Sequence, residues 1–549
     1  MASRTWVGAS GGAWTTTTNW SPSGAPTSSD DLTINGFSGT INITNGNARH
    51  IYIEGGSNVT FATGTSTLSV NGDLLVNNGT LYTTGTNSNS IQFLGTAQAS
   101  NWSPGGGTYA RVQVAKSTSS CNINGSPTIT GQFTFVNGTI NQNAAITTAI
   151  VANSGANTRT WNMNGYDVTV TNTTGTPYSQ SNSACTFGGT RGYFIMQGGA
   201  TAACGTTEAS APSIKTAYAA TVTITGHIFN LELNGSVSGS NTVTAWGTFY
   251  DYATANSTSA SLSLARSAGG TYTYSSYHQW STILFGQSGT AVTWNITSSR
   301  ANSITCGGSG YTYTLSDCTF STNNTSGLIN LNCSNSTVNI NDIYSSQGTS
   351  TQLQMSGSGN TFNLANTGGG TQVINGSLSF IGANTLNVGD DFSCYRVSIS
   401  GVQNKTINFS NSWIIVNQRS AGGGSVTISD PTYLFTDMAS TITGGFIVRN
   451  SSTAATSAFS TVARDHCPRV RWESSTGSTT GQVREFIIQD NCGFNTSSTI
   501  TLMVGDIVDE GTIIGLSNLS VELGHGAAFN WDSRDRFNSG GYFAALTVS

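Results

Sequence analysis

Few residues of this chain could do acid–base chemistry, because only 24 of its 549 side chains are Asp or Glu and only five are His. Enzymes that cleave glycans usually work with a pair of carboxylates. The candidates are the pair Asp390–Asp391, at a predicted turn, and the cluster Asp506, Asp509 and Glu510 in VGDIVDEG, which could hold a cation or act in catalysis. The first pair is typical of a solvated turn, and the second spacing does not match a calcium-binding loop. We therefore predict no catalytic residue, no metal and no cofactor.

The consecutive residues Asp465, His466 and Cys467 do not indicate a nucleophile. A Cys–His pair must face each other, whereas neighbours on a strand point to opposite faces. The chain has nine Cys and no Cys-x-x-Cys pair. Buried free thiols are therefore predicted rather than a zinc site.

Aromatic residues are dense among small polar ones in GTFYDYATA (247–255) and TYTYSSYHQW (271–280). Exposed rings can stack on the faces of sugars, and the same rings can instead belong to a core. The residues that could contact a glycan are Tyr250, Tyr252, Tyr274, Tyr277 and Trp280.

The elements that carry these residues are predicted to be short strands. Asn-Gly occurs nine times, and segments with alternating apolar residues, such as GTINITNG (39–46), lie between these pairs. Asn and Gly tolerate positive φ, so each pair can form a tight turn. Strands of this length with turns at regular spacing favour an all-β fold. Because the pattern continues far beyond the length of one sandwich, we predict an elongated parallel β-solenoid with coils of roughly 20–25 residues.

Charge is sparse and uneven. Charged residues make up 8% of the chain and the net charge is −5, so no basic surface indicates a nucleic-acid partner. No apolar segment approaches the ~20 residues that span a membrane. Residues 1–429 hold 24 of the charged side chains and residues 430–549 hold 19. This change predicts a distinct C-terminal β domain.

The predicted organisation has four parts: a capping segment (1–38), a solenoid (39–210), its continuation (211–429) and a C-terminal assembly or attachment domain (430–549). Arginine binds carboxylates bidentately, so basic residues of the last part can pair within the domain or between neighbouring copies. The candidates for assembly are Arg464, Arg469, Arg471 and Arg484. A weakly charged surface suits a homotrimer or a higher cyclic assembly, whose closed ring would protect strand edges.

The N-terminal pattern resembles a segment of large β-helical bacterial surface proteins and of some phage virion proteins. It consists of Trp6–Gly8, Gly12–Trp14, Asn19–Pro22, Pro26–Thr27 and Asp30–Ile34, with a partial echo at Asn101–Gly107. Trp6, Trp14 and Trp20 are predicted to cover apolar surface at the open end of the first coil, with Asp30 and Asp31 placing charge beside the first strand.

The first ten residues, MASRTWVGAS, lack the apolar core of a secretory signal, which favours a virion protein made in the host cytoplasm. The resemblance then implies a non-enzymatic tail fibre, tailspike or capsid-surface protein of a phage, involved in host-surface adhesion. Its expected partners are copies of itself, other virion proteins and a host-surface glycan. The alternatives are a glycan-depolymerising tailspike, which needs two acids ~5–10 Å apart across a groove, and a secreted bacterial adhesin.

Overall fold

In the computed structural model the chain is built almost entirely from β-strands. About 64% of its residues lie in strands and about 1% in helices, and the strands form a parallel β-solenoid of about 15 turns. Thr17–Asn19 forms a single 3-10 turn. The predicted all-β solenoid is therefore confirmed. Within the residues described below, the structure contains no helix with the length and apolar character needed to cross a bilayer.

The structure describes residues 2–85, 91–96, 98–153, 157–180, 184–198, 201–252, 258–266, 269–276, 279–286, 292–297, 301–316, 318–320, 328–341, 343–345, 351–365, 372–373, 376–400, 405–417, 425–428, 433–435, 444–450, 457–461, 469–474, 477–488, 500–509, 519–523 and 545–548. Only the backbone is described for the strands at 318–320, 343–345, 372–373, 433–435 and 457–461 and for those from residue 477 onward.

The strands up to residue 264 are Ser3–Trp6, Gly12–Ala13, Trp20–Ser21, Asp31–Asn35, Ser38–Asn42, Gly46–Ala48, His50–Glu54, Asn58–Gly64, Leu68–Val70, Leu74–Val76, Thr80–Gly85, Ile91–Phe93, Ser100–Ser103, Val112–Ile123, Thr128–Gln142, Ile146–Asn153, Arg159–Asn162, Val168–Val170, Tyr178–Gln180, Cys185–Gly188, Tyr193–Met196, Thr201–Ala203, Ser213–Thr216, Thr221–Ile228, Leu231–Leu233, Ser236–Ser238, Thr242–Ala245, Phe249–Asp251 and Ser261–Leu264.

The strands that follow are Thr271–Ser275, Trp280–Phe285, Thr293–Thr297, Ala301–Cys306, Thr312–Ser316, Cys318–Phe320, Leu328–Ser334, Thr337–Ile340, Ile343–Ser345, Thr351–Ser358, Thr361–Leu364, Gln372–Val373, Gly376–Ile381, Thr385–Val388, Phe392–Cys394, Arg396–Ser400, Lys405–Phe409, Trp413–Asn417, Ser425–Ile428, Tyr433–Phe435, Gly445–Asn450, Ser457–Thr461, Arg469–Ser474, Gly477–Ile488, Ile500–Asp509, Leu519–Leu523 and Ala545–Val548.

The core consists of apolar columns that continue from one turn of the solenoid to the next. Leu32 pairs in parallel register with Ile51, and Ile51 pairs with Leu74. All three side chains are fully buried. Side chains alternate between the two faces of a strand, so every second residue joins such a column. Each fully buried aliphatic side chain contributes about 1.5–3 kcal/mol, so each added turn contributes stabilisation to these columns.

The outer surface carries polar ladders in the same register. Asn363 donates an amide hydrogen bond of 2.7 Å to Asn339, and Asn387 and Asn408 continue the ladder with further bonds of 2.7 Å. Successive members lie 24, 24 and 21 residues apart along the chain. The coil length of roughly 20–25 residues expected from the sequence holds for these turns.

Three tryptophans close the first turn. Trp6, Trp14 and Trp20 are 5%, 0% and 1% exposed. Trp20 makes edge-to-face contacts with both others, with ring centroids 5.1 Å and 5.0 Å apart. The three rings are therefore buried together, and their role as a cap on the open end of the first coil stays a prediction.

The contacts divide the chain into two compact units, Met1–Leu262 and Ser263–Ser549. The boundaries expected near residues 38, 210 and 430 stay predictions. In the second unit, parallel pairing joins Trp413–Asn417 to Gly445–Asn450, on opposite sides of residue 430.

Candidate functional site

Two exposed tyrosines lie side by side in the first unit. Tyr250 and Tyr252 are 48% and 64% exposed. Their rings are nearly parallel, with an interplanar angle of 15° and centroids 6.2 Å apart. The residues that alternate with them, Phe249 and Asp251, are buried. The strand Phe249–Asp251 therefore directs Tyr250 outward, and Tyr252, just after it, is exposed as well.

The register of the neighbouring strand explains this orientation. Leu231 pairs with Phe249 and Leu233 with Asp251, and both leucines are fully buried. Glu232, between them, pairs with Tyr250 and faces outward with it. A hydrogen bond of 2.7 Å from the backbone N–H of Tyr252 to the carbonyl oxygen of Leu233 continues the pairing beyond the strand.

An ion pair borders the tyrosines. Lys215 pairs in register with Glu232, and its Nζ lies 2.6 Å from Glu232 Oε1. Asn234 donates its side-chain amide to the same carboxylate oxygen at 3.3 Å and to the carbonyl oxygen of Thr216 at 3.2 Å. We call the set Lys215, Glu232, Asn234, Tyr250 and Tyr252 the tyrosine patch.

Two further tyrosines belong to this part of the chain, and one of them, Tyr193, lies close enough to the tyrosine patch to feel its charge. Burial, and then the negative charge of Glu232, raises the pKa of Tyr193 to about 12, so its phenol stays neutral at ordinary pH. Tyr218 follows the strand that carries Lys215 and is 91% exposed. Of the six large apolar or aromatic side chains exposed among the described residues, three lie between residues 218 and 252. Exposed aromatic side chains are therefore most frequent in this stretch of the sequence.

The structure corrects two of the residues expected to contact a glycan. Tyr274 and Trp280 are both 0% exposed, so neither ring can meet a sugar. Tyr274 pairs in register with Ile296 and contacts Phe285 edge-to-face, with ring centroids 5.4 Å apart. The threonines of TYTYS face outward instead. Tyr277 lies outside the described residues, so the expectation for it stays a prediction.

The arginines expected to act in assembly are only partly described. Arg471 Nε lies 3.1 Å from Glu473 Oε1, and Arg449 Nε lies 2.6 Å from Glu473 Oε2. Arg471 therefore forms an ion pair within its own chain. Arg469 is paired in strand register with Glu485. Arg464 and the side chain of Arg484 lie outside the described residues, and the role of all four in assembly stays a prediction.

The acidic candidates are only partly described, and the expectation that none of them is catalytic stays a prediction. Asp391 accepts a hydrogen bond of 2.8 Å from the backbone N–H of Trp413, which anchors the next turn. The side chains of Asp506 and Asp509, and all of Glu510 and of 465–467, lie outside the described residues. Within the part of the chain that the structure describes, no three His, Cys, Asp or Glu side chains are grouped so that they could hold a metal ion.

The prediction of buried free thiols is confirmed for the cysteines whose side chains are described. Burial raises the pKa of Cys121, for example, to about 12, which keeps the thiol protonated and unreactive. The six are Cys121, Cys185, Cys204, Cys306, Cys333 and Cys394.

Sequence reasoning missed Lys215, Glu232 and Asn234 as neighbours of the tyrosines. No family model matches the chain, and comparisons with curated proteins and with solved structures give no match. Function is therefore argued from the fold and the tyrosine patch.

Proposed function

We propose that the chain is a virion structural protein of a phage, a tail fibre, tailspike or capsid-surface protein that takes part in host-surface adhesion. The observation that supports this function best is the parallel solenoid of about 15 turns. Stacked turns offer long side surfaces for contacts with other molecules. The tyrosine patch, on such a surface, would contact the host.

The N-terminal turn also supports this proposal. The segment that resembles those of β-helical bacterial surface proteins and of some phage virion proteins places its three tryptophans in one buried cluster. The strand Ser3–Trp6 pairs on one side with Asp31–Asn35 and on the other with Trp20–Ser21. Paired strands offer less free edge to other molecules, as a soluble particle component requires.

An uncharged face of the second unit supports a homotrimer. Seven threonines form one outward column in strict register, beside a column of Thr and Asn side chains. Neither column contains a charge that packing of copies side by side would bury unpaired. The seven are Thr271, Thr293, Thr312, Thr337, Thr361, Thr385 and Thr406.

Two measurements test the proposal. Light scattering of the purified chain is expected to give about three times the chain mass of 56.9 kDa, and a monomer at micromolar concentration would refute the trimer. Mass spectrometry and antibody labelling of phage particles whose genome encodes the chain are expected to find it on the particle. Its absence from purified particles would refute the virion assignment.

The proposed protein binds glycan without cleaving it. Near the tyrosine patch, Glu232 is held by Lys215 and Asp251 is buried, which does not favour two free acids across a groove. Incubation with host-surface polysaccharide is therefore expected to release no new reducing ends. Release of oligosaccharides would support the depolymerase instead.

A further inference from the structure

We propose that the tyrosine patch binds one or two sugar units of an uncharged oligosaccharide, through Tyr250 and Tyr252. This inference rests on the proposed role in adhesion and adds the chemical class of the ligand. It also assigns roles to Lys215, Glu232 and Asn234, which the aromatic pattern of the sequence did not indicate.

The rings of Tyr250 and Tyr252 supply the apolar contact. Both are more than 45% exposed, although the neighbouring Phe249 is buried in the same strand. A tyrosine ring offers a flat apolar face together with a phenolic hydroxyl group that can donate and accept hydrogen bonds. A sugar ring has the complementary character, with an apolar C–H face and a rim of hydroxyl groups.

The size of the patch argues against a protein ligand. The patch covers three neighbouring strands, and adjacent strands lie about 4.8 Å apart, so it extends for about 10 Å across them. Tyr250 and Tyr252 are two residues apart, which adds about 7 Å along the strand. A stable protein interface buries about 800 Å² on each partner, on the order of ten times the roughly 70 Å² that these two lengths enclose. One or two sugar rings match it.

The charges of the patch argue for an uncharged sugar. The Lys215 ammonium and the Glu232 carboxylate are 2.6 Å apart and neutralise each other. Their side chains are 33% and 17% exposed, so both can still reach a ligand at the surface. An acidic sugar would have to compete with Glu232 for Lys215. Hydroxyl groups can instead donate to the carboxylate and accept from the ammonium or from the Asn234 amide.

The test uses the full-length protein and an array of uncharged oligosaccharides, with matched oligosaccharides that contain uronic or sialic acid. Binding constants for the best array sugars are then measured by calorimetry. We expect uncharged sugars to bind preferentially. Tyr250→Ala and Tyr252→Ala should each weaken binding about tenfold, the upper end of an aromatic contact. Tyr82→Ala, which removes a tyrosine that is 38% exposed in another sheet, should leave binding unchanged.

A second variant tests the charge argument. Glu232→Gln keeps the hydrogen-bonding shape but leaves Lys215 without its partner, so we expect acidic sugars to gain affinity in this variant. The proposal is overturned if no uncharged sugar binds, if the wild type prefers acidic sugars, or if both tyrosine variants bind as the wild type does. A change of oligomeric state in the tyrosine variants would also overturn it, because the patch would then join copies. Circular dichroism checks that each variant is folded, and detection of the chain on particles tests the virion role independently.

Discussion

Replacing Asp30 by Asn should loosen the N-terminal turn of the solenoid. Asp30 is 3% exposed and accepts four hydrogen bonds. The backbone N–H of Ala2 donates to Oδ1 at 2.9 Å. Arg4 Nε donates to Oδ2 at 3.2 Å, and the N–H and hydroxyl groups of Thr27 donate to the same oxygen at 3.0 Å each. An Asn side chain can accept on one side only, so its NH₂ group would face at least one of these donors.

The pKa of Asp30 sets the size and sign of the effect. Burial acts to raise this pKa, but hydrogen bonds from Ala2, Thr27 and Arg4 outweigh burial and lower it from 3.8 to about 2. A shift of nearly two pH units corresponds to about 2 kcal/mol of stabilisation by the ionised carboxylate. Because the folded-state pKa is the lower one, this stabilisation is fully present above about pH 4. It is lost as the pH falls towards 2.

Hydrogen exchange read by mass spectrometry is the appropriate assay, because turns of a solenoid open locally. At pH 7, Asp30→Asn should speed exchange in residues 2–35 about 30-fold, which corresponds to about 2 kcal/mol. After correction for intrinsic rates, the difference from the wild type should shrink between pH 4 and pH 2. The matched control is Asp31→Asn. Its ion pair with Arg49 is more exposed, at 24% and 23%, and should be worth at most about 1 kcal/mol.

Two results would refute this reasoning. The first is exchange in residues 2–35 of Asp30→Asn within threefold of the wild type at pH 7. The second is a difference between Asp30→Asn and the wild type that stays constant down to pH 2, because the stabilisation would then not depend on ionisation. An equal effect of Asp31→Asn would show that any charge removed from this turn acts in the same way.

Three further predictions concern the turns and the core. Gly138 and Gly175 have φ of 91° and 70°, but a Cβ at Gly138 would overlap the carbonyl oxygen of Lys116, whereas no atom of the described residues lies within 4 Å of a Cβ at Gly175. In thermal melts, Gly138→Ala should therefore destabilise the protein by well over the ~1 kcal/mol expected for Gly175→Ala. Asn360 is 1% exposed and donates hydrogen bonds to buried acceptors. In urea denaturation, Asn360→Ala should therefore lower the free energy of unfolding by about 2–3 kcal/mol. Asn387→Ala, on the outer ladder, should lower it by less than about 1 kcal/mol. A thiol reagent at pH 8 should label none of the six described cysteines in the native protein, as peptide mapping can check, and fast labelling of any of them would contradict their burial.

The strands and turns could be predicted because their signals are local. Apolar alternation identifies a strand, and most Asn-Gly pairs lie at the end of one. The exception is Asn137–Gly138, which lies inside the strand Thr128–Gln142 instead of forming the expected turn. Asn45, Asn78 and Asn164, each followed by Gly, have φ of 52°, 54° and 53°. This is the conformation for which Asn is selected at turns. Parallel stacking was also predictable, since only repetition explains so long a run of similar strands.

Buried charges could not be predicted, because their partners are backbone groups of other turns. Lys116 is fully buried, and its ammonium donates to the carbonyl oxygens of Asn71 and Leu94 at 2.7 Å and 2.5 Å. Burial lowers the pKa of Lys116. Those acceptors lie 45 and 22 residues away along the chain. A sequence pattern shows that Lys116 is charged, but it does not show which carbonyl groups would lie around it.

The tyrosine patch could not be predicted for the same reason, because the sequence does not show which residues of neighbouring turns lie side by side. In TYTYS and in TFYDY the tyrosines alternate with other residues, so either set could face the core. Tyr274 faces inward because its register partner is Ile296, and Tyr250 faces outward because its partner is Glu232. The register partners Lys215, Glu232 and Tyr250 lie 17 and 18 residues apart along the chain. In the asparagine ladder of the second unit, successive members lie 24 and 21 residues apart. Because coil length varies, adjacent coils cannot be aligned from the sequence by one fixed period. Whether an aromatic side chain faces the solvent or the core therefore depends on the strand register. The register places Tyr250 and Tyr252 at the surface and Tyr274 in the core.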